Sequence, residues 1–144
     1  MFVIGVGSAT PRNRFTQAQC WEALLVSPLF ANVSGRSKAI LKKVLLSDNG
    51  IDTRYLAFDR LDEAFSIDPD TLHRRFAKHA PVVAAEAGRR ALNDAGKSTE
   101  DIDALLISTC TGYLCPGLTS YVSEILGLRS DAICLDLVGQ GCAR

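Results

Sequence analysis

Two stretches decide the fold, DALLISTCTGYLCPG at residues 103–117 and AICLDLVGQGC at residues 132–142. Each begins with an apolar run of strand length and continues into a segment that contains glycine. Near-continuous apolar runs are typical of strands in a parallel sheet that is covered on both faces. In α/β proteins the loops after such strands carry the functional residues. The chemistry is therefore expected in residues 108–117 and 139–142.

Working outward, further strand-like segments alternate with helical patterns. FVIGVG at residues 2–7 predicts a buried strand, and IDTRYLAF at residues 51–58 predicts an extended segment. We expect a break or kink near Ala80, because Pro81 cannot continue a helix without disruption. Helices are predicted from Thr16 to Pro28, over residues 36–46, from Asp68 to the break, over residues 81–95 and over residues 118–126. The alternation predicts an α/β fold with a mostly parallel sheet and helices on both faces.

The composition limits the classes of partner. Sixteen Lys and Arg residues balance sixteen Asp and Glu residues, which gives no electrostatic reason to expect a nucleic acid or an anionic membrane as partner. The first residues, MFVIGVGSAT, lack the pattern of a secretory signal. No apolar run approaches the roughly 20 residues of a membrane helix. We therefore expect a cytoplasmic protein that binds neither nucleic acid nor membrane.

The cysteines predict thiols rather than disulfides. There are five, at irregular spacing and without a CxxC pair, a pattern that does not suit a disulfide framework. Only His73 and His79 could join them in a metal site, which is too few for most zinc sites, so no metal is expected. Cys20, on a helix face, and Cys134, inside a strand, are predicted to be core residues.

Cys142 is the candidate nucleophile. It ends the turn Gly139-Gln140-Gly141-Cys142, whose glycines allow a tight turn and a close approach of substrate to the backbone. A helix that began at Cys142 would stabilise its thiolate, the form that attacks an acyl thioester. The alternative is that Cys142 is simply a small buried residue, since many cysteines are.

These motifs resemble the type III polyketide synthases, the chalcone and stilbene synthase family. The resemblance is carried by LLISTCTGYLCPGLTSYVSEILGLRSD, residues 105–131, followed by CLDLVGQGC, residues 134–142. It extends to GSATP at residues 7–11 and to GIDTRY at residues 50–55, so that it covers nearly the whole chain.

The resemblance implies the fold and the reaction. The fold would be thiolase-like, with two similar α/β halves, and residues 1–144 would be an incomplete N-terminal domain that ends before the nucleophile-bearing helix. The enzyme would load an acyl group from an acyl-CoA starter onto cysteine and extend it by decarboxylative Claisen condensation with malonyl-CoA. No metal or redox cofactor is implied. The family's histidine and asparagine partners belong to the second half and match no residue here.

The resemblance also implies the site residues. The nucleophile matches Cys142, and Cys110 and Thr111 match positions that line the acyl pocket. Cys115 matches a residue that helps to wall the partner's cavity in a homodimer formed through residues 110–117, and it precedes a cis peptide bond to Pro116. His73 and His79 match no catalytic position and are expected to be surface or packing residues.

The coenzyme A entrance is expected on the helix of residues 36–46. Family members carry basic residues there, and such residues suit phosphate groups. Lys42 and Lys43 are the candidates, although they do not fall on the usual basic positions. The alternative is a solvated helix face.

Three other functions remain open at the level of the sequence. A ketoacyl synthase of the fatty-acid initiating type would share the cysteine and the fold but use a carrier protein. A non-catalytic half would only dimerise or pair with another subunit. A nucleotide-binding α/β domain is disfavoured because the chain has neither a G-x-G-x-x-G motif nor a P-loop. As part of a polyketide synthase, residues 1–144 alone are expected to be inactive, because the family's histidine and asparagine belong to the second half.

Overall fold

The computed structural model describes residues 2–139. They divide into two compact units, Thr10–Leu72 and a second unit made of residues 2–9 with residues 73–139. The predicted nucleophile Cys142 lies outside the described residues.

The unit Thr10–Leu72 combines a short antiparallel ribbon with three helices. Strand β1, Asn13–Thr16, pairs with β2, Thr53–Leu56, in a register that sets Asn13 opposite Leu56. The sequence pattern did not predict β1, since its pairing depends on a partner about 40 residues away. The helices are α1 (Gln17–Val26), α2 (Pro28–Ala31) and α3 (Gly35–Leu46), and a 3₁₀ turn covers Leu61–Phe65.

The predicted start of α1 is confirmed by its capping geometry. The Thr16 hydroxyl accepts a hydrogen bond from the Gln19 N–H at 3.1 Å, and the Gln19 side chain accepts one from the Thr16 N–H at 2.8 Å. This reciprocal pair satisfies two N–H groups that the helix itself leaves without partners. Trp21 of α1 then meets Phe30 of α2 edge to face at 5.5 Å between ring centroids.

Helix α4 runs continuously from Pro69 to Ala95, so the prediction of two helices separated by a break near Ala80 is wrong, and the alternative of a kink there stays a prediction. Pro81 removes one helical hydrogen bond, a disruption of about 3 kcal/mol in an isolated helix. Ala77 before it and Ala84 after it pack in the same hydrophobic cluster, and Pro81 itself is buried. Tertiary packing on both sides of the proline therefore outweighs the local penalty.

The second unit is built on the parallel pair predicted from the sequence. Strand β3, Ala104–Thr109, pairs in parallel with β4, Ile133–Val138, and α5, Leu118–Leu126, connects them. Leu105 and Ile107 point into the core with Leu118 and Val122 of α5 and Ala85 of α4.

The opposite face of this pair is uncovered in residues 2–139. Its large apolar side chains are Leu106, Ile133, Leu135 and Leu137, which are 36–67% exposed. Helices were expected on both faces of the sheet, but within residues 2–139 they cover only one face of the β3–β4 pair. Cys134, predicted as core, is exposed, since β3 is the one strand that pairs with β4 in the part of the chain that the structure describes.

The predicted strand at residues 2–7 pairs with no other strand in the described range. The segment lies along α4 instead. The Val6 N–H donates to the Asp94 carboxylate at 2.9 Å, and Arg90 donates to the Ser8 carbonyl at 2.9 Å. A Cβ at Gly5 would lie 2.5 Å from the Ala91 carbonyl, so glycine permits this close approach.

Candidate active site

The two loops named by the sequence leave the same edge of the sheet. The Gly139 N–H donates to the Thr109 carbonyl at 3.0 Å, so the carboxyl ends of β3 and β4 lie side by side. Gly139 has a φ of 74°, a left-handed conformation that favours glycine, and it is the first residue of the GQGC motif. The structure thus brings the first residue of that motif next to Thr109, the residue before the loop at residues 110–117.

Cys110 and Thr111 come directly after β3, and both are exposed. The Thr111 N–H donates to the Thr109 hydroxyl at 3.2 Å, which turns the chain away from the strand direction. These two residues lie at the surface and follow Thr109, whose carbonyl accepts the hydrogen bond from Gly139. Their role in lining an acyl pocket stays a prediction.

The middle of the loop is anchored to the start of α4. A ring nitrogen of His73 lies 3.0 Å from the Tyr113 carbonyl, which can only accept, so that nitrogen carries the proton. A Cβ at Gly112 would lie 2.5 Å from the Phe76 ring, and Leu114 is buried. His73, predicted as a surface or packing residue, is exposed and holds the loop through this one contact.

The predicted cis peptide bond at Cys115–Pro116 is present. Cys115 is exposed while its neighbour Leu114 belongs to the buried cluster. Cys115 thus stands on the outer side of a loop whose inner side is fixed in the core.

One residue of this region was missed by the sequence analysis. Asp136, in the middle of β4, accepts hydrogen bonds from the Thr119 N–H at 3.1 Å and from the Thr119 hydroxyl at 2.5 Å. Thr119 is 1% exposed. The available signal was a single acidic residue inside the apolar strand ICLDLV, because a carboxylate on a half-buried strand needs a partner.

The predicted coenzyme A residues lie in the other unit. Lys42 and Lys43 are exposed on α3, a position that suits either a phosphate contact or a solvated face. Their neighbour Lys38 is engaged elsewhere, with its ammonium group 5.0 Å from the centroid of the Phe30 ring. The binding of coenzyme A by Lys42 and Lys43 therefore stays a prediction.

Among residues 2–139 no group of three or more His, Cys, Asp or Glu side chains is arranged to hold a metal ion. None of the helices in that range is both long and apolar enough to cross a membrane.

No protein-family profile matches the sequence, but individual proteins do. A 1,3,6,8-tetrahydroxynaphthalene synthase of Streptomyces peucetius is 29% identical over 140 residues, which cover 97% of this chain and 36% of that protein. A polyketide synthase-like protein of α-pyrone synthesis from Mycobacterium tuberculosis is 28% identical over 145 residues, 96% of this chain and 36% of that protein. The chain thus spans little more than a third of these relatives.

Solved structures agree with the sequence relatives. A fungal type III polyketide synthase superposes with a TM-score of 0.73 at 25% identity, covering 95% of this chain and 36% of that one. The similarity therefore includes both the strands that carry the two loops and the unit Thr10–Leu72. The chain is a homologue of the type III polyketide synthases and has part of their thiolase-like fold.

Proposed function

We propose that the chain forms part of a type III polyketide synthase in which Cys142 is the acyl-accepting nucleophile. The observation that carries the proposal is the shared edge of β3 and β4, where Gly139 bonds to Thr109 at the start of both motif loops. Homology to polyketide synthases supplies the class of reaction.

The proposed reaction begins with thioester exchange. The Cys142 thiolate attacks the acyl carbon of an acyl-CoA starter, the bond from carbon to the coenzyme A sulfur breaks, and coenzyme A leaves as a thiol after taking a proton. Malonyl-CoA then loses CO₂, and the electron pair of the broken carbon–carbon bond forms an enolate. The enolate carbon attacks the loaded acyl group, and the Cys142 thiolate is released. Fixed hydrogen-bond donors must stabilise both the enolate and the oxyanion.

In this proposal the exposed loop residues have separate tasks. Cys110 and Thr111, beside Gly139, line the acyl pocket. Cys115, on the outer side of the loop, walls the partner's pocket in a homodimer. Lys42 and Lys43 contact the phosphates of coenzyme A.

The test uses the full-length gene product with an acyl-CoA starter and malonyl-CoA. We expect release of coenzyme A thiol and formation of polyketides detected by mass spectrometry. Cys142→Ala is expected to lower the rate by at least about 10³-fold, the scale on which nucleophile removal acts. Cys134→Ala is the matched control and should leave the rate unchanged.

A parallel reaction replaces malonyl-CoA with a malonyl-carrier protein. Consumption of the carrier-bound substrate alone would identify a ketoacyl synthase of the fatty-acid initiating type instead. Equal rates for the wild type and Cys142→Ala would contradict the proposed nucleophile, and absence of any acyl transfer by the wild type would favour the non-catalytic alternative.

A further inference from the structure

Helix α5 is capped by a residue from another element. Its own N-cap residue is Gly117, which has no side chain to accept a hydrogen bond. Asp136 of β4 supplies the acceptor instead, at 3.1 Å from the Thr119 N–H and 2.5 Å from its hydroxyl. A carboxylate at a helix N-terminus also interacts favourably with the helix dipole. The contact therefore joins the end of the loop at residues 110–117 to the strand that leads to Gly139.

Gly117 is packed directly on the Asp136 carboxylate. A Cβ at this position would lie 2.7 Å from Asp136 Cγ and would overlap Oδ2. The backbone at Gly117, with φ −62° and ψ 162°, is open to any residue, so it is space and not conformation that requires glycine. There is thus no room for a side chain between Gly117, at the end of the loop, and the Asp136 carboxylate.

The other anchors of the loop hold its beginning and middle. His73 contacts the Tyr113 carbonyl, Phe76 packs on Gly112, and Leu114 is buried. Asp136 is the anchor on the far side of Cys115. Because β4 ends at Val138, the strand that holds this anchor also leads directly to Gly139, the first residue of the GQGC motif.

We propose that Asp136 and Thr119 are positioning residues that set which acyl chains the site accepts. Their hydrogen bonds fix the Cys115 end of the loop relative to β4, and they thereby fix where the loop presents Cys115 to the partner's pocket. The effect on acyl specificity rests on the proposed function, whereas the hydrogen bonds between Asp136 and Thr119 are a property of the fold.

The anchoring is tested by hydrogen exchange on the full-length protein. In Asp136→Ala we expect amides of residues 111–120 to exchange at least about 10-fold faster, because the cap of α5 is lost. Amides of residues 83–95 in α4 should be unchanged. Val122→Ala, a core change in the same helix, is the control and should speed exchange in both regions. Unchanged exchange of residues 111–120 in Asp136→Ala overturns the anchoring.

The effect on specificity is tested by the ratio of kcat/KM for lauroyl-CoA to that for acetyl-CoA. We expect Asp136→Ala to change this ratio at least about 10-fold and Asp136→Asn, which keeps an oxygen acceptor, to change it less than about 3-fold. Val122→Ala should leave the ratio unchanged although it destabilises the protein. A ratio unchanged in Asp136→Ala, or changed equally by Val122→Ala, overturns the positioning role.

Thr119 provides a second pair of variants should Asp136→Ala fail to fold. Thr119→Val removes the hydroxyl donor and should change the ratio in the same direction, whereas Thr119→Ser keeps the donor and should not. A wild type that never transfers acyl groups would defeat the proposed function and with it the specificity role. The hydrogen-exchange result would then still decide the anchoring.

Discussion

At the scale of single residues, the cysteines differ by their surroundings. Cys20 is half-buried in α1, and burial raises the pKa of its thiol, an effect that the nearby Arg54 charge partly offsets. Cys110 and Cys115 are exposed in the motif loop, and Cys134 is exposed on the strand. Exposure alone therefore does not distinguish a reactive cysteine, and chemical reactivity has to be measured for each.

The raised pKa of Cys20 predicts slow alkylation at neutral pH. Because burial favours the neutral thiol, its thiolate forms only at a higher pH than in an unfolded chain. We expect the midpoint of the pH profile for modification by iodoacetamide, followed by mass spectrometry, to lie above that of a peptide of residues 15–26. Arg54→Gln, which removes the offsetting charge, should move the midpoint further up. A midpoint at or below that of the peptide would contradict this.

At the scale of elements, Gly117 and Asp136 give a prediction about stability. Gly117→Ala should destabilise the protein by about 1–3 kcal/mol, the usual cost of overpacking, because the new Cβ overlaps the Asp136 carboxylate. In the Asp136→Ala background the same change should cost less than about 0.5 kcal/mol, since the obstructing group is gone. Urea unfolding of the wild type, Gly117→Ala, Asp136→Ala and the double variant measures the free energies of this double-mutant cycle. If Gly117→Ala lowered the free energy of unfolding equally in both backgrounds, the Asp136 carboxylate would not be the obstacle.

The elements also show what local sequence can predict. Helix ends were predictable where one residue determines them, as with Thr16 at the start of α1 and Gly127, φ 70°, at the end of α5. Elements that depend on distant partners were not. β1 forms only because residues 53–56 lie beside it, and α4 passes through Pro81 only because its alanines pack on both sides.

The site shows the same division between local and distant information. Cys110, Thr111 and Cys115 could be proposed from the sequence because the residues around them form a recognisable string. Asp136 was missed because its role depends on Thr119, 17 residues earlier in the chain, and on the space left by Gly117. A polar residue inside an apolar strand was the one local indication of it.

At the scale of the whole molecule, the chain spans about 36% of the two relatives described above. Residues 2–139 leave apolar surface uncovered. The exposed face of the β3–β4 pair carries Leu106, Ile133, Leu135 and Leu137. Contiguous apolar surface of this kind promotes association, and a strand with an unpaired edge adds to that tendency.

We therefore expect residues 1–144, expressed alone, to be inactive and to associate. Size-exclusion chromatography with light scattering should show oligomers or aggregates, and malonyl-CoA should not be consumed. Replacing Leu106 and Leu135 by Thr should shift the protein toward monomer, because both side chains lie on the exposed face. Replacing Leu118, which is buried, by Thr is the control and should not. A soluble monomer of residues 1–144 that turns over malonyl-CoA unaided would refute this expectation.

The most direct test of the central claim is to locate the acyl group. The full-length protein is incubated with an acyl-CoA starter without malonyl-CoA, and its peptides are mapped by mass spectrometry. We predict one acyl group, carried by Cys142, which is absent in Cys142→Ala and retained in Cys20→Ala and Cys134→Ala. An adduct on another cysteine with Cys142 unmodified would contradict the account.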